Sequence, residues 1–246
     1  MIERVLNHPG YLLRFRSTQP GGHAFLLLYG FPAARGTKNL DLADQLFRHF
    51  DRDVYLLHYR GLGESPGGFR FTASIEEAED VARHVAGANR RPRRVVLVGH
   101  SWGGLVATNV AARRPGCVAG LVLLSPFVTP GAEEHYLVHE VRRELPSVFG
   151  AASDDEILED WERIKAKHLP RLVAPRLAGD LPIAILQSQV DPLTPAERTR
   201  ALLPLLPGSP LYEEIALDHS FTEDRGWMTR TVIALIERLQ IFRSAN

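Results

Sequence analysis

A disulfide bond within the chain is excluded, because its 246 residues include one cysteine, Cys117. The fold therefore has to be held together by a hydrophobic core rather than by cross-links. Apolar side chains make up 45% of the residues, and a chain of this length can bury a full core with that content. We expect one domain built around that core.

An excess of charge is also lacking, since 29 basic residues balance 29 acidic ones and the formal net charge is zero. This balance gives no reason to predict a nucleic-acid partner. No run reaches the roughly 18 apolar residues that a membrane-spanning helix needs. The segment Met1–Val5 does not lead into an apolar stretch of signal-peptide length, so no signal peptide is expected. These absences predict a soluble protein of the cytoplasm with no membrane span.

The most informative motif is the pentapeptide Gly99-His100-Ser101-Trp102-Gly103. It follows the apolar run Val95–Val98, which predicts a buried strand, and it leads into residues 102–113, whose apolar spacing predicts a helix. A serine at such a junction lies on a sharp turn that pushes its hydroxyl out of the sheet. Glycines two positions before and after it let the strand and the helix pass closely. The pattern predicts a nucleophile elbow with Ser101 as the nucleophile.

This motif resembles the nucleophile elbow of the α/β-hydrolase superfamily, in which an acid and then a histidine follow the serine along the chain. Asp191 follows the apolar run 183–186, and His219 follows the last predicted strand, 211–215. Both positions are at the carboxyl ends of strands, where open parallel sheets bind their ligands. The resemblance therefore implies a catalytic triad of Ser101, Asp191 and His219.

Two neighbouring residues compete for these roles. Asp218 adjoins His219, but adjacent side chains on an extended loop point apart, so Asp191 is preferred as the acid. His100 adjoins Ser101 and is disfavoured as the base for the same reason, and we expect it to pack beside the elbow. Of the ten histidines, His219 alone falls between the last predicted strand and the terminal helix.

A further element is the oxyanion hole, whose donors are backbone amides aimed at the oxygen that becomes charged. The tetrapeptide Tyr29-Gly30-Phe31-Pro32 follows a predicted buried strand and is similar to the family's His-Gly-x-Pro turn. By that resemblance the amides of Phe31 and Trp102 are the donors, and Gly30 is the glycine of the turn.

The chain departs from the family pattern at two positions. Tyr29 stands where the family usually has histidine before the oxyanion turn. Residues 58–65 resemble the family's Asp-x-Arg-Gly-x-Gly-x-Ser loop, with His58 in the place of the aspartate. Both departures change side chains, whereas the expected oxyanion donors are main-chain groups.

Strand and helix patterns alternate along most of the chain, which predicts an α/β fold with a doubly wound, mostly parallel sheet flanked by helices. Strands are predicted at 11–17, 24–29, 53–59, 94–99, 118–124, 183–186 and 211–215. Helices are predicted at about 38–50, 75–88 and 102–113. The strand at 11–17 is expected to pair antiparallel with residues near the start of the chain.

The alternation breaks between residues 126 and 181, where two helical segments have no strand between them. The first has four apolar residues on one face: Leu137, Val138, Val141 and Leu145. The second begins with a capping box, a serine at 153 and a glutamate at 156. Its apolar face carries three residues: Ile157, Trp161 and Ile164.

Insertions at this point in the family form a cap over the serine. We therefore expect a hydrolase core at 1–125 and 182–246 with a helical cap at 126–181. An apolar inner face of the cap would exclude water and hold an acyl group, which makes Ile157, Trp161 and Ile164 candidates for the substrate pocket. Alternatively, these faces only pack against the main domain.

The resemblance implies acyl transfer to water, with a small-molecule acyl substrate and water as the reaction partners. Carboxylic ester hydrolysis is the commonest outcome for these residues, and an apolar cap suits a small-to-medium ester or a monoacylglycerol-like substrate. A thioesterase, a carbon–carbon bond hydrolase or a proline-releasing aminopeptidase would use the same triad. Dehalogenases and epoxide hydrolases are disfavoured, because they carry aspartate in the place of Ser101. A different class, a small-molecule receptor with slow turnover on the same fold, stays open.

No cofactor is predicted, because the sequence has no phosphate-binding glycine loop and no cluster of metal ligands. His135 and His139 lie one helical turn apart. The glutamate-containing pattern of metalloproteases is absent around them, so no metal site is expected.

Overall fold

The computed structural model describes residues 2–5, 11–18, 22–32, 39–63, 65–87, 93–131 and 134–242. Within them one sheet has eight strands: β1 (Ile2–Arg4), β2 (Tyr11–Phe15), β3 (Ala24–Leu28), β4 (Val54–His58), β5 (Val95–His100), β6 (Val118–Leu124), β7 (Ile183–Ser188) and β8 (Leu211–Ile215). The same residues form eight α-helices: α1 (Leu40–Phe50), α2 (Phe71–Gly87), α3 (Trp102–Arg113), α4 (Glu134–Glu144), α5 (Asp154–Lys167), α6 (Pro170–Val173), α7 (Ala196–Leu202) and α8 (Arg225–Arg238).

The strands lie side by side in the order β1-β2-β4-β3-β5-β6-β7-β8. Strand β2 is antiparallel to both β1 and β4, and every other pair in the sheet is parallel. Strands β3 to β7 are buried along almost their whole length, as expected for parallel strands covered by helices on both faces. The predicted doubly wound sheet is confirmed, including the antiparallel pairing of β2 with the start of the chain.

Several predicted boundaries differ from the structure, and two of these differences have a clear physical reason. Strand β2 ends at Phe15 rather than at residue 17, because the amide of Ser17 bonds instead to the Asp53 carboxylate at 2.8 Å. Helix α2 begins at Phe71, four residues before the predicted start. Phe71 is buried one helical turn before Ile75 and extends the same apolar face.

Residues 126–181 contain helices α4, α5 and α6, and no strand lies in their described part. The capping box of α5 is present as predicted: the amide of Glu156 bonds to Ser153 Oγ at 3.2 Å, and the amide of Ser153 bonds to the Glu156 carboxylate at 2.7 Å. Helix α6 was not predicted; it is one short turn with Pro170 at its first position. The side chains of His135 and Leu137 lie outside the described residues.

A buried charge cluster closes the end of the sheet where β4 begins. The Asp53 carboxylate accepts hydrogen bonds from Arg14 at 2.7 Å, from Arg93 at 2.8 Å and from the Ser17 amide at 2.8 Å. Burial alone would raise the pKa of Asp53, but these hydrogen bonds outweigh it and hold the pKa below its usual value. Relative to its protonated form, the ionised form of Asp53 is therefore more stable in the folded protein than in the unfolded chain.

We expect Asp53→Asn to lower the free energy of unfolding by about 3–5 kcal/mol at pH 7, because it removes the buried negative charge that pairs with Arg93 and Arg14. Since the folded pKa is depressed, the contribution of Asp53 is present above its unfolded pKa of about 3.9 and is lost as the pH falls through the folded value. Urea unfolding from pH 7 to pH 2 measures both effects. The matched control is Asp44→Asn, which removes a surface ion pair with Arg48 and should change stability by less than about 1 kcal/mol. Equal losses for the two variants would contradict the prediction.

Candidate active site

Ser101 lies on the turn between β5 and α3 with a φ of 54°, a backbone conformation that is unfavourable for residues other than glycine. Such a conformation costs on the order of 1–3 kcal/mol and persists only where surrounding contacts hold it. Three backbone hydrogen bonds of 2.9 Å do so here: the Ser101 amide donates to Leu124, and the amides of Gly104 and Phe127 donate to the Ser101 carbonyl. The residue predicted to be the nucleophile is therefore one of the strained positions of the backbone.

The glycines that flank this turn are required by close backbone contacts. A Cβ atom at Gly103 would collide with the carbonyl oxygen of Leu28 in β3. A Cβ atom at Gly99 would collide with the carbonyl of Gly103 on the first turn of α3. Any side chain at either position would push α3 away from the sheet and move the serine that begins it.

Asp191 and His219 are brought together although 27 residues separate them in the sequence. Asp191 follows β7 and His219 follows the neighbouring strand β8. His219 Nδ1 lies 2.6 Å from Asp191 Oδ2, so the Nδ1–H donates to the carboxylate. In the neutral ring this bond assigns the tautomer with an unprotonated Nε2.

The Asp191 carboxylate is held by its own loop as well. The amides of Leu193 and Thr194 donate to Oδ1 at 2.9 and 2.8 Å, and the Thr194 hydroxyl donates to Oδ2 at 2.6 Å. Burial alone would raise the pKa of Asp191, but the hydrogen bonds from His219 and Thr194 outweigh it and lower the pKa. Asp191 is therefore an ionised acceptor fixed in one orientation. The role of Thr194 was missed by sequence reasoning, although an aspartate that bonds amides two and three residues later is a known turn signal.

Asp218, the competing acid, faces away from its neighbour. Its carboxylate accepts hydrogen bonds from the amide and the hydroxyl of Thr222. These bonds close the turn that follows His219. The structure thus pairs His219 with Asp191 and gives Asp218 a local partner.

His100 links the serine turn to the histidine loop. Its Nε2–H donates to the carbonyl of His219 at 2.9 Å, and the two rings lie 5.0 Å apart. Burial, followed by the charge of His219, lowers the pKa of His100 to about 3, so this ring is neutral near pH 7. In the described part of the chain no hydrogen bond joins the Ser101 hydroxyl to His219. Such catalytic hydrogen bonds are often long until a substrate binds.

The two residues whose amides are predicted to form the oxyanion hole are next to Ser101: the turn before Phe31 contacts its side chain, and Trp102 follows it in the chain. A Cβ atom at Gly30 would lie 3.0 Å from Ser101 Cβ and 3.3 Å from Oγ, so the turn at Gly30 contacts the side chain of Ser101. Trp102 is the first residue of α3, where amides have no acceptor within the helix. The Phe31 ring stacks on Phe69 at 4.3 Å, which fixes the turn.

The two departures from the family pattern, Tyr29 and His58, pack against each other behind this turn. Their rings meet edge to face at 5.4 Å, and both side chains are buried. Burial raises the pKa of Tyr29, so its hydroxyl stays protonated. A Cβ atom at Gly63 would collide with His58 Nδ1, so the loop after β4 wraps closely around His58. Tyr29 and His58 belong to separate sequence motifs, and the structure shows that their side chains contact each other.

An aromatic cluster covers the other side of the elbow. Trp161 of α5 lies 5.0 Å from Phe71, 5.8 Å from Phe127 and 6.0 Å from Trp102, measured between ring centroids. The Trp102 indole donates to Ser74 Oγ at 3.0 Å, but the Trp161 indole N–H is buried without a hydrogen-bond partner. Ile157 and Ile164, the other two pocket candidates, are fully buried on the same helix.

Helix α5 is anchored to the start of α2, next to this cluster. The carboxylate of Asp160 accepts hydrogen bonds from the amide and the hydroxyl of Thr72.

Among the described residues, no three metal-ligating side chains come together. None of the described helices has the length and apolar character that crossing a membrane requires.

Comparison with known proteins identifies the family model of the alpha/beta hydrolase family, which matches residues 28–242. The chain is 29% identical to monoglyceride lipase from Homo sapiens over 136 residues, which cover 54% of the chain and 45% of the lipase. It is 34% identical over 113 residues to a pimeloyl-[acyl-carrier protein] methyl ester esterase from Sodalis glossinidius, covering 46% of the chain and 40% of the esterase. The matched part of the chain thus spans less than half the length of each relative.

Solved structures resemble the whole chain. A monoacylglycerol lipase from Paleococcus ferrophilus superposes with a TM-score of 0.69 at 20% identity, covering 94% of this chain and 98% of that one. Est1E from Butyrivibrio proteoclasticus with bound ferulic acid superposes with a TM-score of 0.71 at 15% identity, covering 94% and 96%. At these identities the likeness shows the fold alone.

Proposed function

The chain belongs to the alpha/beta hydrolase family, and from that premise we propose that it is a serine hydrolase that cleaves carboxylic esters through an acyl-enzyme on Ser101. The observation that carries the proposal is the 2.6 Å bond between Asp191 and His219, at the sheet edge where β5 ends in the strained turn of Ser101. Two aligned relatives, a monoglyceride lipase and a methyl ester esterase, are named for ester substrates, which supports this class.

Acylation begins with His219, whose Nε2 is the unprotonated ring nitrogen while Nδ1–H bonds to Asp191. Nε2 takes the proton of the Ser101 hydroxyl as Oγ attacks the carbonyl carbon of the ester. The negative charge that develops on the carbonyl oxygen is stabilised by the amides of Phe31 and Trp102. The imidazolium then gives its proton to the alcohol oxygen, which leaves, and the acyl group stays on Ser101.

Deacylation repeats these steps with water in place of serine. His219 Nε2 removes a proton from the water, and the resulting hydroxyl attacks the acyl carbon beside the same two amides. The carboxylic acid leaves when Ser101 Oγ takes the proton back. The ionised Asp191, with its lowered pKa, stabilises the imidazolium in both halves of the reaction.

We assign the helical segment 126–181 as a cap over the nucleophile. Its helix α5 presents Trp161 to Trp102, the residue after Ser101. Ile157 and Ile164 extend the same apolar face, and an apolar cover of this kind excludes water and accommodates an acyl chain. The ester is accordingly small to medium in size and has an apolar acyl group.

Chain-length profiles of p-nitrophenyl esters from acetate to dodecanoate test the proposal, with an acyl thioester and an aminoacyl p-nitroanilide as comparison substrates. Turnover of the esters, with the thioester and the anilide at least about tenfold slower in kcat/KM, is the expected result. A preference for the thioester or the anilide would move the protein to another class of acyl transfer. No turnover of any substrate would favour a receptor role.

Trp161→Ala is expected to shift this profile towards longer chains, because it opens space beside Trp102. It should also lower the melting temperature, since truncating a buried aromatic costs about 3–5 kcal/mol. Trp161→Phe keeps an aromatic ring in place and removes the unpartnered N–H, so it should move the profile much less. Ester kinetics and thermal unfolding on both variants provide the measurement.

Trp227→Ala is the matched control, because Trp227 is exposed on α8 and should change neither the profile nor the stability by a comparable amount. If Trp161→Ala loses stability but the folded enzyme keeps the wild-type profile, Trp161 only packs against the main domain and does not line the pocket.

A further inference from the structure

A cleft of about 390 Å³ lies where the C-terminal ends of α3 and α5 meet α6. Three basic side chains line it: Arg113 at the end of α3, Lys167 at the end of α5, and Arg176 in the 3₁₀ turn Ala174–Arg176. The lining also includes apolar residues, among them Ala112, Leu172 and Val173. The cleft lies at the other end of α3 from Ser101, and no step of the proposed reaction uses it.

The positive charge in this cleft is only partly compensated. Glu79 lies 3.4 Å from Arg113 but 2.6 Å from Arg114, so two arginines share one carboxylate. The carboxylate of Asp160, which bonds to Thr72, does not line the cleft, although its charge partly opposes the effect of the cations on His168. Over the part of the chain that the structure describes, neither Lys167 nor Arg176 has an ion-pair partner.

Helix C-termini attract cations, and this accounts for part of the cluster. Each terminus acts as about half a negative charge, so the ends of α3 and α5 together offset roughly one of the three positive charges. Since the whole chain has a formal net charge of zero, the remaining positive charge is a local concentration. A concave site of this character favours a multivalent anion.

The charges of the three cations all affect one side chain in the lining of the cleft, the imidazole of His168. Burial lowers its pKa to about 4, and the charges of Arg113, Lys167 and Arg176 add to that effect. The neutral ring has Nδ1 3.3 Å from Arg113 Nη2, and the Asn109 amide donates to the His168 carbonyl at 2.7 Å. The wall of the cleft between α3 and α5 is therefore fixed by hydrogen bonds.

We propose that this cleft binds the phosphate group of a small phosphorylated molecule. Arginine guanidinium groups match phosphate oxygens with two parallel hydrogen bonds, and lysine adds a point charge. A volume of about 390 Å³ is in the range of small-molecule pockets and leaves room for an organic part against the apolar lining residues.

Binding there would join the core helix α3 to α5, the helix that carries Trp161. Trp161 lies seven residues before His168 along the chain, which corresponds to about 10 Å along a helix. The bound phosphate would therefore stabilise the position of α5 over the aromatic cluster. The binding proposal itself stands independently of the hydrolase reaction.

Titration calorimetry and thermal unfolding with glycerol 3-phosphate and inorganic phosphate, at constant ionic strength, test the proposal. We expect both ligands to raise the melting temperature of the wild-type protein above the value in sodium chloride, with glycerol 3-phosphate binding more tightly. Lys167→Gln and Arg176→Gln should each weaken binding at least about tenfold, the loss expected for a hydrogen bond to a charged group.

The matched control is Arg171→Gln, because Arg171 is exposed on α6 and does not line the cleft. It should bind both ligands as the wild type does. Both substituted cleft residues are exposed, and melting temperatures without ligand verify that their variants fold. The proposal is overturned if phosphate has no more effect than chloride, or if the Lys167→Gln/Arg176→Gln double variant binds as tightly as the wild type.

Discussion

Ser101→Ala is expected to lower kcat for ester hydrolysis by about 10⁶-fold, because the covalent route disappears with the hydroxyl. The fold should survive, since the strained turn is held by backbone bonds to Leu124, Gly104 and Phe127 that do not involve the side chain. Steady-state kinetics on the best ester of the panel give the loss in rate. Circular dichroism and thermal unfolding verify that the variant is folded.

Ser209→Ala makes the same chemical change at an exposed position and should leave kcat within about twofold of wild type. The comparison separates loss of a nucleophile from a general effect of serine removal. Turnover by folded Ser101→Ala within tenfold of the wild-type rate would remove Ser101 from the mechanism.

Asp191→Asn is the second large effect that we expect, with kcat lowered by roughly 10²–10⁴. The substituted amide would donate to Nδ1 of His219, so the ring proton would move to Nε2, where the base must be free. The 2.6 Å bond to the carboxylate favours the tautomer protonated at Nδ1, whereas a bond from the amide would favour the tautomer protonated at Nε2. The measurement is kcat at neutral pH for folded protein, with stability followed in parallel because the Asp191 carboxylate also holds Thr194.

Asp218→Asn is the matched control for this prediction. Asp218 lies on the loop after β8 and adjoins His219, yet its carboxylate bonds to Thr222. We expect its kcat to stay within about tenfold of wild type, since the histidine keeps its partner. If Asp218→Asn were the more damaging of the two, the role of the acid would pass to Asp218.

The elbow and the sheet edge could be predicted from the sequence because their signals are local. Gly99 and Gly103 flank Ser101 within five residues, and Asp191 and His219 each follow a predicted strand by five residues or fewer. The carboxyl ends of parallel strands meet at one edge, so strand prediction alone brings these side chains near one another. The antiparallel start of the sheet followed from an equally local pattern.

The contacts that fix the site could not be predicted, because they depend on tertiary packing. His100 donates to the carbonyl of His219, 119 residues later, and the Thr194 hydroxyl lies 3.1 Å from the carbonyl of Ser125. No pattern in the sequence indicates either contact. The pairing of Tyr29 with His58 is of the same kind: each departure is visible in its own motif, and only the fold brings them together.

The basic cleft could not be predicted from the sequence for a similar reason. Arg113, Lys167 and Arg176 belong to three separate elements, and each alone is an ordinary basic residue near a helix end. Their common orientation follows from the packing of α5 and α6 against α3. The unpartnered indole of Trp161 is likewise a property of the packed structure, because the sequence indicates only its apolar face.

Labelling with a fluorophosphonate tests the central claim, that Ser101 is an activated nucleophile, most directly. The probe forms a stable covalent bond only with a serine whose proton is removed by an adjacent base. Peptide mass spectrometry of the labelled wild-type protein should find one adduct, on Ser101, and Asp191→Asn should be labelled more slowly while Asp218→Asn reacts at the wild-type rate. An adduct on another serine with Ser101 unmodified, or no adduct on protein that hydrolyses esters, would contradict the account.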